Sequence, residues 1–496
     1  MKAGYKLLSG HSRKMTYDII IIGAGVIGTS IARELSQYQL KIAIVEKEEE
    51  LAFGVSKSNS GIIHPGTQNS PESLKGKLCV KGNKLIRKIS RDLGVDFKEV
   101  GELIVAFNDR DISRLEELKK KGEKLGVPRL RIVNRAWLRE REPNLSKDAV
   151  AALYAPTAGI VSPYRLTYDM AENAMRNGVK IYTNSPVVQI IKHESEENSQ
   201  AYFEVVTPNG TLKAKYIVNA AGLFADQISR LVGVDDFKIS PRKGEEFILD
   251  KKQEHITNHL LFPLPSKTSK GVLVIKTSDG NPMIGPTAQD VDDKEDFSTS
   301  DQGLKKVLEG VNRMIPTINE NDIIAYFAGL RPVAGDDFII RHEDKVPGFV
   351  NVAGIQSPGL TAAPAIALMV CDILNSAGLK LKKRKTFHSH RKKTIHLFAS
   401  SLRKIKNFIK KDSSYGDIVC RCEMVSKKEI EDAITRGATT LDGIKFRTRA
   451  QAGRCHGGFC TTRILKILSE SLKKAPTEIT KNGVGSRIVM QERDHA

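Results

Sequence analysis

The first strong apolar signal runs unbroken from Tyr17 to Ile22, the pattern of a parallel strand buried on both faces. Gly23-Ala24-Gly25-Val26-Ile27-Gly28 follows and opens a helix predicted to reach about Tyr38. A second strand at Lys41 to Val45 ends on Glu46. Together these segments make a βαβ nucleotide-binding unit. Gly23 permits the tight turn, Gly25 lets a pyrophosphate approach the backbone, and Gly28 allows the helix to pack closely on the strand. The helix N-terminus offers unpaired N–H groups and a positive dipole end to the diphosphate. Glu46 lies eighteen residues past Gly28, where a carboxylate accepts hydrogen bonds from a ribose 2′-OH. These residues do not separate FAD from NAD.

Further along, residues 56–66 form a small-residue loop that contains Ser58-Asn59-Ser60-Gly61 and leads to a lone His64. Ser70-Pro71-Glu72 predicts a helix start, with serine as N-cap, proline at the first helical position and an acid in the first turn; the helix ends near Gly94. Short strands alternate with basic amphipathic helices over 102–150. Strands are predicted over 179–192, 201–206 and 211–218, the last two joined by a turn at Asn209-Gly210. The third of these ends in Asn219-Ala220-Ala221-Gly222, a small-residue turn suited to lie beneath a nucleotide. Residues 236–325 read as a separate antiparallel layer. A strand at Phe349 to Val352 then passes through Gly354-Ile355-Gln356-Ser357-Pro358-Gly359 into a helix from about Leu360. No internal repeats are visible.

With 40% hydrophobic and 27% charged residues over 496 positions, the composition is that of an ordinary soluble globular chain of two or three domains. Ile19 to Ala32 is too short and glycine-broken to span a bilayer, and residues 351–371 hold Asn351, Gln356, Pro358 and Pro364, which suit a strand–loop–helix better. No secretory signal precedes Tyr17. Met15 stands where the first domain is expected to begin, so residues 1–16 read as an extension. The net charge of +20 raises the possibility of a polyanionic partner. Much of the excess falls between Lys380 and Lys411, which reads as a solvated basic linker. If that segment binds anything, an anionic membrane surface or an acidic partner fits better than nucleic acid, because its few aromatics are not interleaved for base stacking.

Six cysteines are present. Cys79 and Cys371 lie alone on apolar helical stretches and read as buried bystanders. The other four cluster as Cys420-x-Cys422 and, after thirty-two intervening residues, Cys455-x4-Cys460. Four clustered thiols without a signal peptide indicate a metal site in a reducing compartment. Zinc and an iron–sulfur cluster both accept four thiolates; the cramped Cys-x-Cys favours the cluster over a zinc knuckle.

The glycine turn with Glu46, the Ser-Asn-Ser-Gly loop, Asn-Ala-Ala-Gly at 219–222, and Gly329-Leu330-Arg331-Pro332 followed by Gly354 to Gly359 together resemble the D-amino-acid-oxidase-like flavoprotein superfamily. Ser60-Gly61-Ile62-Ile63-His64 resembles glycerol-3-phosphate dehydrogenases and oxidases and the related L-2-hydroxyglutarate dehydrogenases. Phe262-Pro263-Leu264-Pro265, Lys270-Gly271 and Gly285-Pro286-Thr287-Ala288 lean toward the glycerol-3-phosphate branch. The four C-terminal cysteines resemble the small helical 2Fe–2S domain of bacterioferritin-associated ferredoxin, which is also appended to anaerobic glycerol-3-phosphate dehydrogenases.

The resemblance implies an α/β Rossmann-like FAD-binding domain with an α+β antiparallel-sheet substrate domain over 17–378, a basic linker over 379–415, a helical iron–sulfur domain over 416–475 and a tail over 476–496. FAD-binding parts are expected at about 17–90, 150–235 and 325–378, and substrate-domain parts at about 91–149 and 236–324. Expected cofactor contacts are Gly23, Gly25, Gly28, Glu46, Ser58, Asn59, Ser60, Ala221, Gly222, Gly354, Gly359 and Leu360, with Cys420, Cys422, Cys455 and Cys460 on a 2Fe–2S cluster. His64, near neutral pKa, suits a general base for a secondary alcohol, and the family's base is implied there. Ser60, about one turn before it, is placed to contact substrate or flavin. Arg331 suits an anion clamp, since guanidinium meets carboxylate or phosphate bidentately. Lys270 and Ser357 are implied phosphate contacts by resemblance alone. The expected activity is oxidation of a small anionic hydroxy compound, glycerol 3-phosphate before others, with electrons leaving through the cluster to a partner protein or quinone pathway. The expected location is cytoplasmic, at most peripheral to the inner membrane face. An L-2-hydroxyglutarate dehydrogenase, an O₂-using oxidase and a nucleic-acid-binding flavoprotein remain open alternatives.

Overall fold

The computed structural model describes residues 16–194, 201–266 and 270–490; the expected N-terminal extension therefore lies almost wholly outside the described residues. The apolar run Thr16–Ile22 is the central strand of an eight-stranded sheet, paired in parallel with Ile42–Val45 on one side and Gly210–Asn219 on the other. Gly210–Asn219 changes partners along its length. Its first half is antiparallel to Tyr202–Thr207 across the expected Asn209-Gly210 turn, and its last three residues run parallel to Phe349–Ala353. The nucleotide-binding sheet is thus assembled from three distant parts of the chain.

Helices Val26–Leu35, Leu74–Leu93 and Gly359–Ser376 pack together against this sheet. The last is long and apolar enough to cross a membrane, but most of it is buried here as a core helix. Leu74–Leu93 starts later than expected. Ser73, not Ser70, is its N-cap and accepts from Gly76 N–H, while Ser70-Pro71-Glu72 forms the preceding turn.

The second layer is a nine-stranded sheet built from residues 102–155 and 240–333. It is antiparallel except where Leu260–Pro263 runs parallel to Glu102–Ala106, a departure from the expected all-antiparallel layer. Its long pair, Ser240–Leu249 with Ile323–Val333, carries Arg331 opposite Arg242. A small three-stranded sheet brings Ile62–Ile63 beside Gly159–Ile160 and so sets His64 between the two main sheets.

The basic stretch after residue 378 is anchored to the first domain at a few points, although most of its lysines are exposed. Arg384 donates to the carbonyls of Tyr38 and Leu40, and Arg391 bridges Asp169 and Glu172 at 3.1 and 2.6 Å. His396 and Leu397 are buried. The charges meet acids from remote parts of the first domain, partners that local composition does not reveal. The helix Leu402–Lys411 carries no buried residue.

The C-terminal module has its own core, in which Ile430, Ile444, Ile464 and Leu468 are fully buried. The expected tail contributes to it. Ile479 is buried there, and Lys481 pairs with Asp442 at 2.8 Å. The module docks on both layers through buried charge. Arg447 meets Glu50 at 2.7 Å and lies over the Tyr168 ring. Arg449 reaches Glu423 at 2.7 Å, Asp279 at 2.8 Å and Asn281 at 2.8 Å. Removing one partner of a buried ionic network leaves the others desolvated without compensation, at a cost of about 3–5 kcal/mol. Arg449→Met should therefore lower the free energy of module unfolding in urea by that order, followed through the cluster's visible absorbance. A loss below about 1 kcal/mol would show that this network does not hold the module.

Candidate active site

A cavity of about 950 Å³ extends from the first glycine turn to the nine-stranded sheet. At its nucleotide end Gly23 has φ +105°, and a Cβ there would lie 2.5 Å from the Ala220 carbonyl oxygen. A Cβ on Gly28 would lie 2.0 Å from Gly23 O, so Gly28 serves close packing and does not line the cavity. Gly25 is the helix N-cap and has no side-chain hydrogen bond to offer. The Glu46 carboxylate accepts from Ala24 N–H at 2.6 Å and Glu48 N–H at 3.0 Å while lining the cavity. Burial raises its pKa.

The Ser-Asn-Ser-Gly loop is shaped by Asn59, whose amide donates to Ser56 O and accepts from Gly61 N–H. Ser58, Asn59, Ser60, Ala221, Gly222, Gly359 and Leu360 all line the cavity. Gly354 does not: a Cβ there would meet Ala334 at 2.9 Å, and its φ of +66° serves the turn before the helix. The buried Ser58 hydroxyl and both polar atoms of the Gln68 amide have no partner among the described residues, and both residues line this space. A buried polar atom without a partner costs about 1–3 kcal/mol. Unpartnered polar atoms, glycine-lined walls and two helix N-termini with no side-chain cap fit a dinucleotide of FAD size. Asn482, beyond the glycine turn in sequence by more than four hundred residues, also lines the cavity.

At the other end His64, Lys270, Ser357 and Arg331 converge. His64 follows the two-residue strand Ile62–Ile63, so Ser60 is on a loop before it and not one helical turn away. Its backbone is held from both sides: the N–H donates to Thr361 Oγ1 at 2.9 Å, and Asn83 Nδ2 donates to the carbonyl at 2.9 Å. The Lys270 Nζ is 3.4 Å and the Ser357 Oγ 3.3 Å from His64 Nε2, with 3.2 Å between them. Burial, followed by the Lys270 charge, holds the imidazole down to about 4, opposed by Glu102. Burial also lowers Lys270. The Arg331 guanidinium donates only to Thr287 O among the described residues, at 3.3 and 3.4 Å. Burial lowers its pKa, partly offset by Glu246, whose own carboxyl is pushed up by burial to about 7. A buried cation with one carbonyl partner suits an incoming anion.

In the C-terminal module, Cys420 and Cys422 sulfurs lie 3.7 Å apart and Cys422 and Cys455 sulfurs 3.9 Å apart. Two thiolates on one tetrahedral metal, with metal–sulfur bonds of about 2.3 Å, sit about 3.8 Å apart. The donor set therefore fits a thiolate-bound centre. The Cys460 thiol, together with N–H groups of Gln451 and Glu423, brings Cys420 down to about 6, while burial and the Cys420 charge push Cys422 up to about 12. Gly453 makes room, since a Cβ there would fall 2.4 Å from Cys422 Sγ.

Fold and site together define a dinucleotide-binding oxidoreductase with an appended iron–sulfur module. Residues 18–373 match the model of the FAD dependent oxidoreductase family, and residues 418–470 that of the BFD-like [2Fe-2S] binding domain. The chain is 43% identical over 476 residues to a glycerol 3-phosphate dehydrogenase of Caloramator mitchellensis, covering 95% of this chain and 98% of the relative. A solved L-alpha-glycerophosphate oxidase from Mycoplasma pneumoniae with FAD bound has TM-score 0.72 and 34% identity, covering 76% of this chain and 98% of its own. Human mitochondrial L-2-hydroxyglutarate dehydrogenase is 31% identical over 425 residues, covering 74% of this chain and 90% of the relative. The chain belongs to the FAD dependent oxidoreductase family, with FAD as its cofactor and a 2Fe–2S cluster in its C-terminal module.

Sequence reasoning missed Gln68, Glu102 and Glu246. Glu102 left a trace, an acid heading the otherwise apolar run 102–106. Gln68 and Glu246 have no local signature.

Proposed function

We propose that the protein oxidises glycerol 3-phosphate to dihydroxyacetone phosphate. The observation that carries this reading is the convergence of Arg331, Lys270 and Ser357 on the space beside His64 Nε2. Arg331 and Lys270 bind the phosphate, and the Ser357 hydroxyl donates a further hydrogen bond to it. The phosphate draws Lys270 and Ser357 off His64, leaving Nε2 free to accept the proton of the C2 hydroxyl. His64 is neutral at physiological pH because its buried pKa lies well below the solution value, so it is ready as a base. The glycine turn, Glu46 and the Ser58–Ser60 loop would hold FAD, which would supply a hydride acceptor, and Cys420, Cys422, Cys455 and Cys460 would hold a 2Fe–2S cluster, which would supply a one-electron carrier. The similarity to glycerol 3-phosphate enzymes over nearly the whole chain supports this substrate ahead of L-2-hydroxyglutarate, whose dehydrogenases are more distant relatives.

Anaerobic mixing with glycerol 3-phosphate should bleach the flavin within one turnover, and L-2-hydroxyglutarate should do so far more slowly; the reverse order would move the chain to the other branch. In the same assay His64→Ala should slow bleaching about 10²–10⁴-fold. Arg331→Lys should mainly raise the substrate concentration needed, because an ammonium lacks the guanidinium fork.

Electron exit is proposed through the C-terminal module to a partner protein or a quinone pathway. Cys455→Ser removes a soft ligand that iron needs. The expected result is loss of cluster absorbance and of turnover with the physiological acceptor, while FAD content and bleaching by substrate persist. Full turnover in this variant would exclude the cluster as the exit.

The helix Leu402–Lys411 supports a place at the inner face of an anionic membrane. It sets Leu402, 76% exposed, Ile405 and Ile409 on one arc, and Arg403, Lys404, Lys406 and Lys410 on the other. The protein should co-sediment with phosphatidylglycerol vesicles and not with phosphatidylcholine vesicles. Lys404→Gln with Lys406→Gln and Lys410→Gln should abolish that difference; retention of full binding would place the contact elsewhere.

A further inference from the structure

We propose that Glu102 is a positioning residue for His64: its buried carboxylate accepts the Nδ1 hydrogen and so fixes the tautomer that leaves Nε2 as the proton acceptor. This inference rests on the proposed role of His64 as base and names the group that prepares it.

The assignment follows from which atoms can donate. Lys270 Nζ, 3.4 Å from His64 Nε2, is an ammonium with hydrogens to give and no lone pair to receive one. The Ser357 hydroxyl lies at 3.3 Å on the same nitrogen and is also within 3.2 Å of Lys270. An Nε2 facing an ammonium is stable only as an acceptor. The single hydrogen of a neutral imidazole is then on Nδ1. Nδ1 faces the Glu102 Oε2 at 3.6 Å.

Glu102 itself has the properties of a built partner. It is 0% exposed on the second sheet, where it pairs in register with Leu260 and Ala155. One oxygen accepts from Thr67 Oγ1 at 3.1 Å. The other, Oε2, has no hydrogen bond within normal distance among the described residues, and it is the oxygen turned toward His64. A carboxylate taken out of water with so few partners is costly, so an acid in this strand works against the folding energetics of its own segment. Hydrogen-bonding distances at reacting groups are commonly long before substrate arrives, and a small closure brings 3.6 Å within range.

The other groups that face His64 complete the picture. Cys79 donates to the His64 carbonyl, and burial keeps its thiol neutral, raised to about 12. Phe262 meets the imidazole edge-on with ring centroids 5.9 Å apart. Lys270 and Glu102 are thus the two charges on the ring, one at each nitrogen and of opposite effect: Lys270 makes the imidazole a weaker base, Glu102 a stronger one. When the substrate's phosphate engages Lys270, the restraint on Nε2 is lifted and the Glu102 contribution prevails. The anionic substrate in this way raises the proton affinity of its own base, by the balance of two fixed charges.

The test uses FAD-loaded holoenzyme labelled with ¹⁵N-histidine, with the His64 signals assigned by their loss in His64→Asn. The wild-type spectrum should show a protonated Nδ1 and a bare Nε2. Glu102→Gln, which keeps an acceptor and removes the charge, should leave FAD bound and move the His64 ¹⁵N shifts. It should slow substrate bleaching about 10- to 10³-fold, a part of the full effect of a positioned base, and raise the substrate concentration for half-maximal rate less than threefold. Because Glu102 raises the imidazole pKa, its loss should also shift the acid limb of the bleaching rate to lower pH while the plateau falls. A residue that only packed would change FAD retention and leave the limb in place. Glu102→Asp, which retains the charge one methylene further back, should fall between wild type and Glu102→Gln, and it supplies the measurement should Glu102→Gln fail to hold FAD. His64 shifts identical to wild type in both variants, or a wild-type spectrum with hydrogen on Nε2, would overturn the proposal. If instead His64→Asn bleaches at the wild-type rate, the base assignment itself is wrong, whatever Glu102 does.

Discussion

The active cavity holds charges out of water without giving them full partners. Among the described residues, Arg331 has one carbonyl, Lys270 a hydroxyl and an imidazole, and one oxygen each of Glu102 and Glu246 has no hydrogen bond. Such groups are tolerable only where the surrounding structure is rigid and where a ligand will later complete them. This accounts for the way His64 is mounted. Its backbone is held by Asn83 from one helix and Thr361 from another, and both helices belong to the nucleotide-binding layer, while the carboxylate beside its ring belongs to the opposite layer. Preorganisation of this kind places donors where charge will develop and spares the reaction the cost of turning them there.

How much of this was legible in the sequence depends on whether the determining partner is local. The first strand, the glycine turn and Glu46 are a local pattern with a fixed spacing, and the structure has them where the pattern puts them. The same holds for the cysteine pattern, in which the sulfurs of Cys420, Cys422 and Cys455 meet although thirty-two residues separate the pairs. Helix starts were less secure: Ser70 and Ser73 both satisfy the N-cap preference, and only Ser73 aligns its oxygen with an N–H of the first turn. The anchors of the basic segment were not legible, for the opposite reason. Arg384 and Arg391 find carbonyls and acids more than two hundred residues away in sequence, and nothing in their neighbours announces that. Glu102 and Gln68 fall in the same class, since an acid or amide in an apolar stretch says that a partner exists without saying which.

The docking of the iron–sulfur module extends the same logic to the architecture. Arg449 joins Glu423 of its own module to Asp279 and Asn281 of the second layer, and Arg447 joins the module to Glu50, close in sequence to Glu46. Asp279 is shared with Arg165 from the first layer. Three parts of the chain therefore meet on a few buried carboxylates. Buried ion pairs of this sort add little net stability relative to apolar packing, but they are strongly directional, so they fix how the parts sit. A fixed relation between modules matters more to an electron carrier than to a substrate pocket, because transfer between centres depends on their separation and not on contact.

The two ends of the molecule then divide the work by exposure. The cavity keeps His64 and Glu102 sheltered, so that proton transfer occurs among groups whose charges are set by each other and not by solvent. The cluster end is open: Cys422 and the neighbouring Phe459 and Met424 face solvent, the last two 84% and 42% exposed. Hydride chemistry requires exclusion of water from the reacting carbon, whereas single electrons must leave to another molecule through a surface. Separating the two lets the reacting groups stay sheltered beside the substrate, while the exposed cysteine end is where the proposed electron exit would meet a partner.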